Sequence, residues 1–293
     1  MGTLDGTKIG FIGLGLMGKP MARNLNAAGA AMTVTSRSPS PAEELVGEGM
    51  STAATPRDVA EVSDITILMV TDTSAVDKVL HGPDGVIAGL SSGKSVIDMS
   101  TTKVRETREW AEEVKAAGAH YIDAPVSGGT PGAEAGNLTI LIGADEASLP
   151  GAMAVFEVLG ENITHIGDIG AGQVTKTANQ AIVGMTLAAV AEGLTLAARA
   201  GVDPAKVRTA LLGGFAESRV LDLHGGRMVD RAFEPGGRAS VHHKDILQAL
   251  ELADQVGLDL ASTKTNLQLW QKMLDRGWQD LDQAGIIRAV EED

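Results

Sequence analysis

The stretch KIGFIGLGLMGKPMARNL, residues 8–25, decides the fold. An apolar run of strand length, Lys8–Gly13, ends in Gly13-Leu14-Gly15-Leu16-Met17-Gly18, and a segment of helical period, Leu16–Ala28, follows at once. A second apolar run, Ala31–Ser36, completes a βαβ unit. Glycine turns are common, but a G-x-G-x-x-G placed between strand and helix in such a unit is a dinucleotide-binding fingerprint. In that geometry Gly13 makes the tight turn, Gly15 lets the backbone approach a pyrophosphate, and Gly18 lets the helix pack closely on the strand. Leu14, Leu16 and Met17 complete the cofactor loop.

Outward from this unit the same alternation continues. Strands are expected at Asp64–Val70, Ser95–Asp98, His120–Ala124, Leu138–Gly143 and Ile163–Ile166, with helices at Thr73–Leu80, Lys103–Ala117 and Glu146–Leu159. That pattern predicts an α/β domain with a Rossmann-type doubly wound sheet over residues 1–168. After Gly170 strand-like runs stop. A helix from Gln173 to Ala200, roughly 40 Å long at 1.5 Å per residue, begins an all-α domain over residues 169–293 and is expected to run between the domains. Helices at Ala205–Leu212, Lys244–Val256 and Ala261–Arg276 complete it, and Gly225–Gly237 reads as its main irregular stretch.

Composition narrows the function. The 293 residues carry 38 acidic and 24 basic side chains, a net charge of −14, and only four phenylalanines, three tryptophans and one tyrosine. Nucleic acid is an improbable partner for such a surface, because phosphate contacts need basic patches and base stacking needs rings. Any anionic ligand must therefore be held by few, local groups. Without cysteine there is no disulfide, thiol nucleophile or cysteine-ligated zinc, and a cytoplasmic location is expected. No signal peptide or uninterrupted membrane span is expected. The six histidines form no H-E-x-x-H or other metal-ligand spacing, so no metal is expected.

Three further groups carry chemistry. Where a ribose-binding acid commonly stands, at the end of the second strand, this chain has Thr35-Ser36-Arg37-Ser38. No carboxylate there repels a 2′-phosphate, and Ser36 with Arg37 can bind one, which favours NADP over NAD. The alternative is a solvated surface arginine. After the His120–Ala124 strand, Ser127-Gly128-Gly129 can converge backbone N–H groups and a hydroxyl on a carboxylate; the alternative is an ordinary flexible turn. Finally, in GAGQVTKTANQ, residues 170–180, Lys176, Asn179 and Gln180 lie at i, i+3 and i+4 of the long helix, so one ammonium and two amides share a face. Desolvation and the positive end of the helix dipole both favour the neutral amine, as proton exchange near neutral pH requires. The alternative is a snorkelling lysine that merely covers apolar surface.

Together GFIGLGLMGKPMARNL, DAPVSGGTPGAEAGNLTI (residues 123–140), GAGQVTKTANQ and His243-Lys244-Asp245-Ile246 resemble, in order, four motifs of the β-hydroxyacid dehydrogenase family. That family includes 3-hydroxyisobutyrate dehydrogenases and tartronate semialdehyde reductases, and the likeness covers nearly the whole chain. The resemblance implies that Ser127, Gly128 and Gly129 hold a substrate carboxylate, that Lys176 is the catalytic acid/base and that Asn179, with Gln180 beside it, orients the substrate. It places Thr101 beside the nicotinamide and Lys244 against the cofactor. Family members usually carry Leu-Pro in the cofactor wall where this chain has Val70-Thr71, and Pro-Gly-Phe where it has Pro235-Gly236-Gly237-Arg238. Arg238 therefore stands where an aromatic side chain approaches the substrate, or turns outward or toward cofactor phosphate. The expected protein is an NAD(P)-dependent oxidoreductase interconverting a short β-hydroxy acid and its semialdehyde, a homodimer or homotetramer with a small carboxylate-bearing substrate. Reduction of another carbonyl or an imine on the same scaffold, and a non-catalytic dinucleotide-binding role, are the alternatives.

Overall fold

A computed structural model describes residues 2–292. The chain divides into two compact units, Met1–Lys176 and Thr177–Asp293. In the first, elements follow in the order β1 Lys8–Ile12, α1 Gly18–Ala27, β2 Ala31–Thr35, α2 Pro39–Gly47, β3 Ser51–Thr52, α3 Pro56–Val62, β4 Ile65–Leu68 and α4 Thr73–Leu80. They continue with β5 Ser95–Asp98, α5 Val104–Ala116, β6 His120–Asp123, β7 Val126–Ser127, α6 Gly129–Ala135, β8 Leu138–Gly143, α7 Leu149–Leu159 and β9 Gly160–Gly167. The strands make one sheet in the order β3-β2-β1-β4-β5-β6-β8-β7, with β9 also paired to β8.

From β3 to β6 every pairing is parallel. The chain starts in the middle, moves outward to β3, then returns across β1 to β4, the reversal that opens a crevice at the carboxyl ends of strands in doubly wound sheets. Because side chains alternate across a strand, each strand feeds two cores. Ile9, Phe11, Ile65, Ile67, Ile97 and Ile122 face one helical layer, while Ile12, Leu68, Val96 and Tyr121 face the other. β8 departs from the parallel rule, meeting β6 and β7 antiparallel.

α8, Ala171–Arg199, begins in the first unit and ends in the second. The second unit continues with α9 Pro204–Leu211, α10 Arg219–Val229, α11 Ala239–Gln255, α12 Ala261–Asp275 and α13 Ile286–Glu291. Its core gathers Leu187, Ala191 and Leu194 of α8 with Met228, Ile246, Trp270, Met273 and Ile287. The doubly wound sheet followed by helices is as expected.

One expectation needs correction. Gly225–Gly237 is not irregular throughout, since α10 runs through Gly225 and Gly226. A β-carbon at Gly225 would meet Leu221 and Val190, and one at Gly226 the Arg208 guanidinium, all at ordinary contact distance, so the helix forms despite two residues of poor propensity and the packing does not itself require glycine. α8 is also long and apolar enough to cross a membrane by length and mean hydropathy, 1.7 over its best window. The polar residues of its first third lie outside that apolar stretch. A third of that window is buried within the protein.

Candidate active site

The three glycines of the first loop differ in a way that tests the dinucleotide reading. Gly13 has φ 103°, and a β-carbon on it would collide with the Met69 carbonyl and lie 2.9 Å from Val70 Cγ1. At Gly18 a β-carbon would strike the Gly13 carbonyl oxygen, where α1 is pressed onto the turn. Gly15 is different: nothing lies within 4 Å of its added β-carbon. The protein itself gives no reason for glycine there, whereas close approach of a ligand does. α1 has neither a side-chain cap nor an acidic residue in its first turn, which suits a phosphate-binding helix start. Leu14 is buried beneath the loop, Leu16 is half exposed on it, and Met17 is partly buried.

Gly13 donates its N–H to the Thr35 carbonyl at 3.1 Å, which puts the loop beside the end of β2. Ser36 follows directly, partly buried, and Arg37 is exposed. On the other flank Val70 N–H donates to Ser100 Oγ at 3.0 Å. Thr71 is exposed and donates to Asp72, whose second carboxylate oxygen caps α4.

Beneath the ends of β5 and β6 lies a buried polar network that sequence reasoning missed. Asp98 accepts hydrogen bonds from Ser100 N–H at 2.9 Å and Tyr121 Oη at 3.1 Å, with Thr102 Oγ1 at 3.4 Å. Its strand neighbour Asp123 accepts from Gly170 N–H at 2.6 Å and Gln173 N–H at 2.9 Å. Burial pushes both carboxyl groups up to about 6, against hydrogen bonds that pull them down. Gln173 in turn donates to Ser100 O at 2.9 Å and accepts from Thr102 N–H at 3.0 Å, bracketing Thr101, which is partly exposed. The signal was present in the sequence: two adjacent apolar strands, SVID and HYID, each end in an aspartate.

Ser127, Gly128 and Gly129 form the entry to α6 rather than a free turn. Gly128 and Gly129 have φ 137° and 62°, a conformation open to glycine, and α6 carries neither a side-chain cap nor a first-turn acid. On α8, Lys176 is 7% exposed and Gln180 is 8% exposed, with Asn179 partly exposed on the same helix face. Gln180, expected as a second substrate amide, is committed elsewhere. It donates to Asp245 at 2.6 Å and accepts from Asn179 at 2.8 Å, so it is an anchor between α8 and α11. Lys244 lies 2.8 Å from Asp245. Arg238 precedes α11, half exposed, with Asp280 at 3.6 Å. Among the described residues no cluster of three or more His, Cys, Asp or Glu side chains is arranged to hold a metal.

Comparison with known proteins agrees with these features. Residues 8–167 match the NAD binding domain of 6-phosphogluconate dehydrogenase, and residues 170–290 match the family described as NAD-binding of NADP-dependent 3-hydroxyisobutyrate dehydrogenase. A 2-hydroxy-3-oxopropionate reductase of Escherichia coli is 45% identical over 97% of both chains. The chain belongs to the β-hydroxyacid dehydrogenase family. A crystal structure of 3-hydroxyisobutyrate dehydrogenase from Salmonella typhimurium superimposes with a TM-score of 0.89 at 28% identity, covering 96% of this chain and 99% of that one. The Mycobacterium tuberculosis 3-hydroxyisobutyrate dehydrogenase with L-serine gives 0.86 at 27% identity, covering 97% and 99%. As a β-hydroxyacid dehydrogenase the protein is an oxidoreductase acting on CH–OH with an NAD(P) cofactor.

Two predictions follow from this geometry. Gly15→Ala will keep the wild-type melting temperature but weaken dinucleotide binding, while Gly18→Ala will lower the melting temperature, because only the second collides with protein. Calorimetry and cofactor titration separate them; equal losses of stability would refute the distinction. The second prediction concerns Asp98, which binds its proton more tightly folded than unfolded. Stability from this group is therefore full below about pH 4 and is lost as pH rises through about 6. In Asp98→Asn the amide oxygen can still accept from Ser100 while its NH₂ donates to the hydroxyls of Tyr121 and Thr102. The melting temperature of Asp98→Asn relative to wild type should thus rise between pH 4 and 6.5, and a pH-independent difference would contradict the shift.

Proposed function

We propose that this β-hydroxyacid dehydrogenase is an NADP-dependent reductase of a short semialdehyde acid of the 2-hydroxy-3-oxopropionate type, and a dehydrogenase of the corresponding β-hydroxy acid in reverse. The observation that carries the chemistry is Lys176, an amine buried in a helix that has no formally charged residue from Thr177 to Ala191. The 45% identity to a 2-hydroxy-3-oxopropionate reductase supports the substrate class. The L-serine bound to the M. tuberculosis relative carries the carboxylate and β-hydroxyl that this reading requires.

In the reductive direction a bound reduced nicotinamide supplies hydride to the aldehyde carbon. The backbone N–H groups at Ser127–Gly129 hold the substrate carboxylate, and Asn179 orients the substrate. Lys176 gives a proton to the carbonyl oxygen as the alkoxide forms, and takes the hydroxyl proton in the oxidative direction. Gly237 and Arg238, where family members usually present an aromatic wall, leave room for a substrate with a second polar group rather than the methyl-branched methylmalonate semialdehyde. In the alternative, which its half-exposed pair with Asp280 fits, Arg238 turns outward. Ser36 and Arg37 would hold the 2′-phosphate, with no acid beside them to oppose it. Exposed apolar side chains at Ile182 and Leu196 of α8 support a homo-oligomer.

Turnover of NADPH with C3–C5 semialdehydes tests the assignment. Lys176→Ala should retain cofactor binding and lose about 10²–10⁴-fold in kcat, and Lys176→Arg should fail similarly because a guanidinium does not release its proton near neutral pH; near-normal kcat in Lys176→Ala would sink the mechanism. For the cofactor, kcat/KM should favour NADPH over NADH, and Arg37→Ala should reduce that preference by raising the KM for NADPH alone. Equal use of both cofactors by the wild type would remove the NADP assignment.

A further inference from the structure

We infer that Asp123 is a positioning residue for the reaction: its carboxylate fixes where α8 begins, and Gln173 transmits that position to the segment Ser100–Thr102. The inference rests on the reading of Lys176 as the acid/base. Asp123 lies on β6, far from α8 in sequence, yet each of its oxygens accepts an N–H from the opening of that helix, Gly170 at 2.6 Å and Gln173 at 2.9 Å. These are donors that α8 itself cannot satisfy. Asp123 is fully buried, as is Gln173.

The seat is built for close approach. A β-carbon at Gly143 would collide with Asp123 Oδ1, and one at Gly172 would lie 2.7 Å from Oδ2. Gly170 has φ 91°, and a β-carbon there would lie 2.8 Å from Arg108 Nε. Glycine at 143 and 172 lets two backbone segments close around the carboxylate, and glycine at 170 permits the left-handed turn that enters α8. Gln173, held at its backbone by Asp123, spends both ends of its side chain on the polar groups flanking Thr101, Ser100 O and Thr102 N–H. Lys176 follows three residues later, one turn along the same helix. Rotation or slippage of the first turn of α8 would therefore displace Lys176 and release the Thr101 segment together.

The acceptor chemistry explains why an aspartate is needed. An ionised carboxylate offers two acceptor oxygens and no donor, whereas an asparagine would turn an NH₂ toward one of the two N–H groups. Asp98 makes the opposite case, because two of its three partners are hydroxyls that can accept as well as donate. Two buried aspartates on adjacent strands should thus respond differently to the same substitution.

The test uses the full-length protein, with kcat expressed per NADPH-binding site counted by fluorescence titration, so that loss of folded molecules is separated from loss of chemistry. Asp123→Asn should bind NADPH with near-normal stoichiometry and turn over about 10–100-fold more slowly per site, as expected for a displaced catalytic group. If Asp123→Asn does not fold, Gln173→Met decides, with at least a tenfold loss of kcat per site and a raised KM for NADPH expected. A per-site kcat within threefold of wild type in Asp123→Asn, or in Gln173→Met where that variant decides, overturns the proposal. Lys176→Ala measured alongside keeps the two ideas apart: if it is inactive while Asp123→Asn is normal, only the positioning role fails; if it is active, the acid/base reading fails.

Discussion

A helix start held by a carboxylate from another strand is the constraint on which the rest of this molecule depends. The two N–H groups that donate to Asp123 would, if buried and unmet, cost about 1–3 kcal/mol each. The carboxylate also faces the positive end of the α8 dipole, a favourable placement that partly offsets its own burial. That offset is incomplete, since Asp123 and Asp98 both remain raised to about 6. The chain thus keeps two buried acids that weaken it near neutral pH, at the one place where the sheet, the Thr101 segment and the lysine-bearing helix meet.

Two other helix starts in the first unit differ from that of α8. α1 and α6 have no side-chain cap and no acid in their first turns. In a chain of net charge −14, long-range attraction cannot gather anions, so binding must come from oriented N–H groups at short range. The uncapped start of α1 thus contrasts with that of α8, which the protein fills from within.

Much of this was legible in sequence because it is local. The glycine loop reads correctly since strand, turn and helix lie within twenty residues, and the resemblance of four ordered motifs carried the family. What escaped was either short or long-range. β3 has two residues and α3 seven, too few for a periodic signal, although Thr55 and Asp58 form a capping box that marks the start of α3. α10 was hidden by Gly225-Gly226, two residues of poor helix propensity inside it. α11 begins at Ala239 rather than Lys244, where backbone bonds from Ala239 to Leu281 and from Gln283 to Gly237 set its entry.

The candidate site divides along the same line. Lys176 and Asn179 could be placed on one face by helical spacing alone, but that spacing could not say which way the adjacent Gln180 amide would be spent. Its partner, Asp245, lies 65 residues away, and only the packing of α11 beside α8 makes the bond. Spacing identifies groups that are able to act together; long-range hydrogen bonds decide which remain available to a substrate. By that measure Asn179 bonds to its neighbour through a single amide hydrogen, whereas Gln180 has both ends of its amide engaged, so Asn179 keeps the larger remaining hydrogen-bonding capacity.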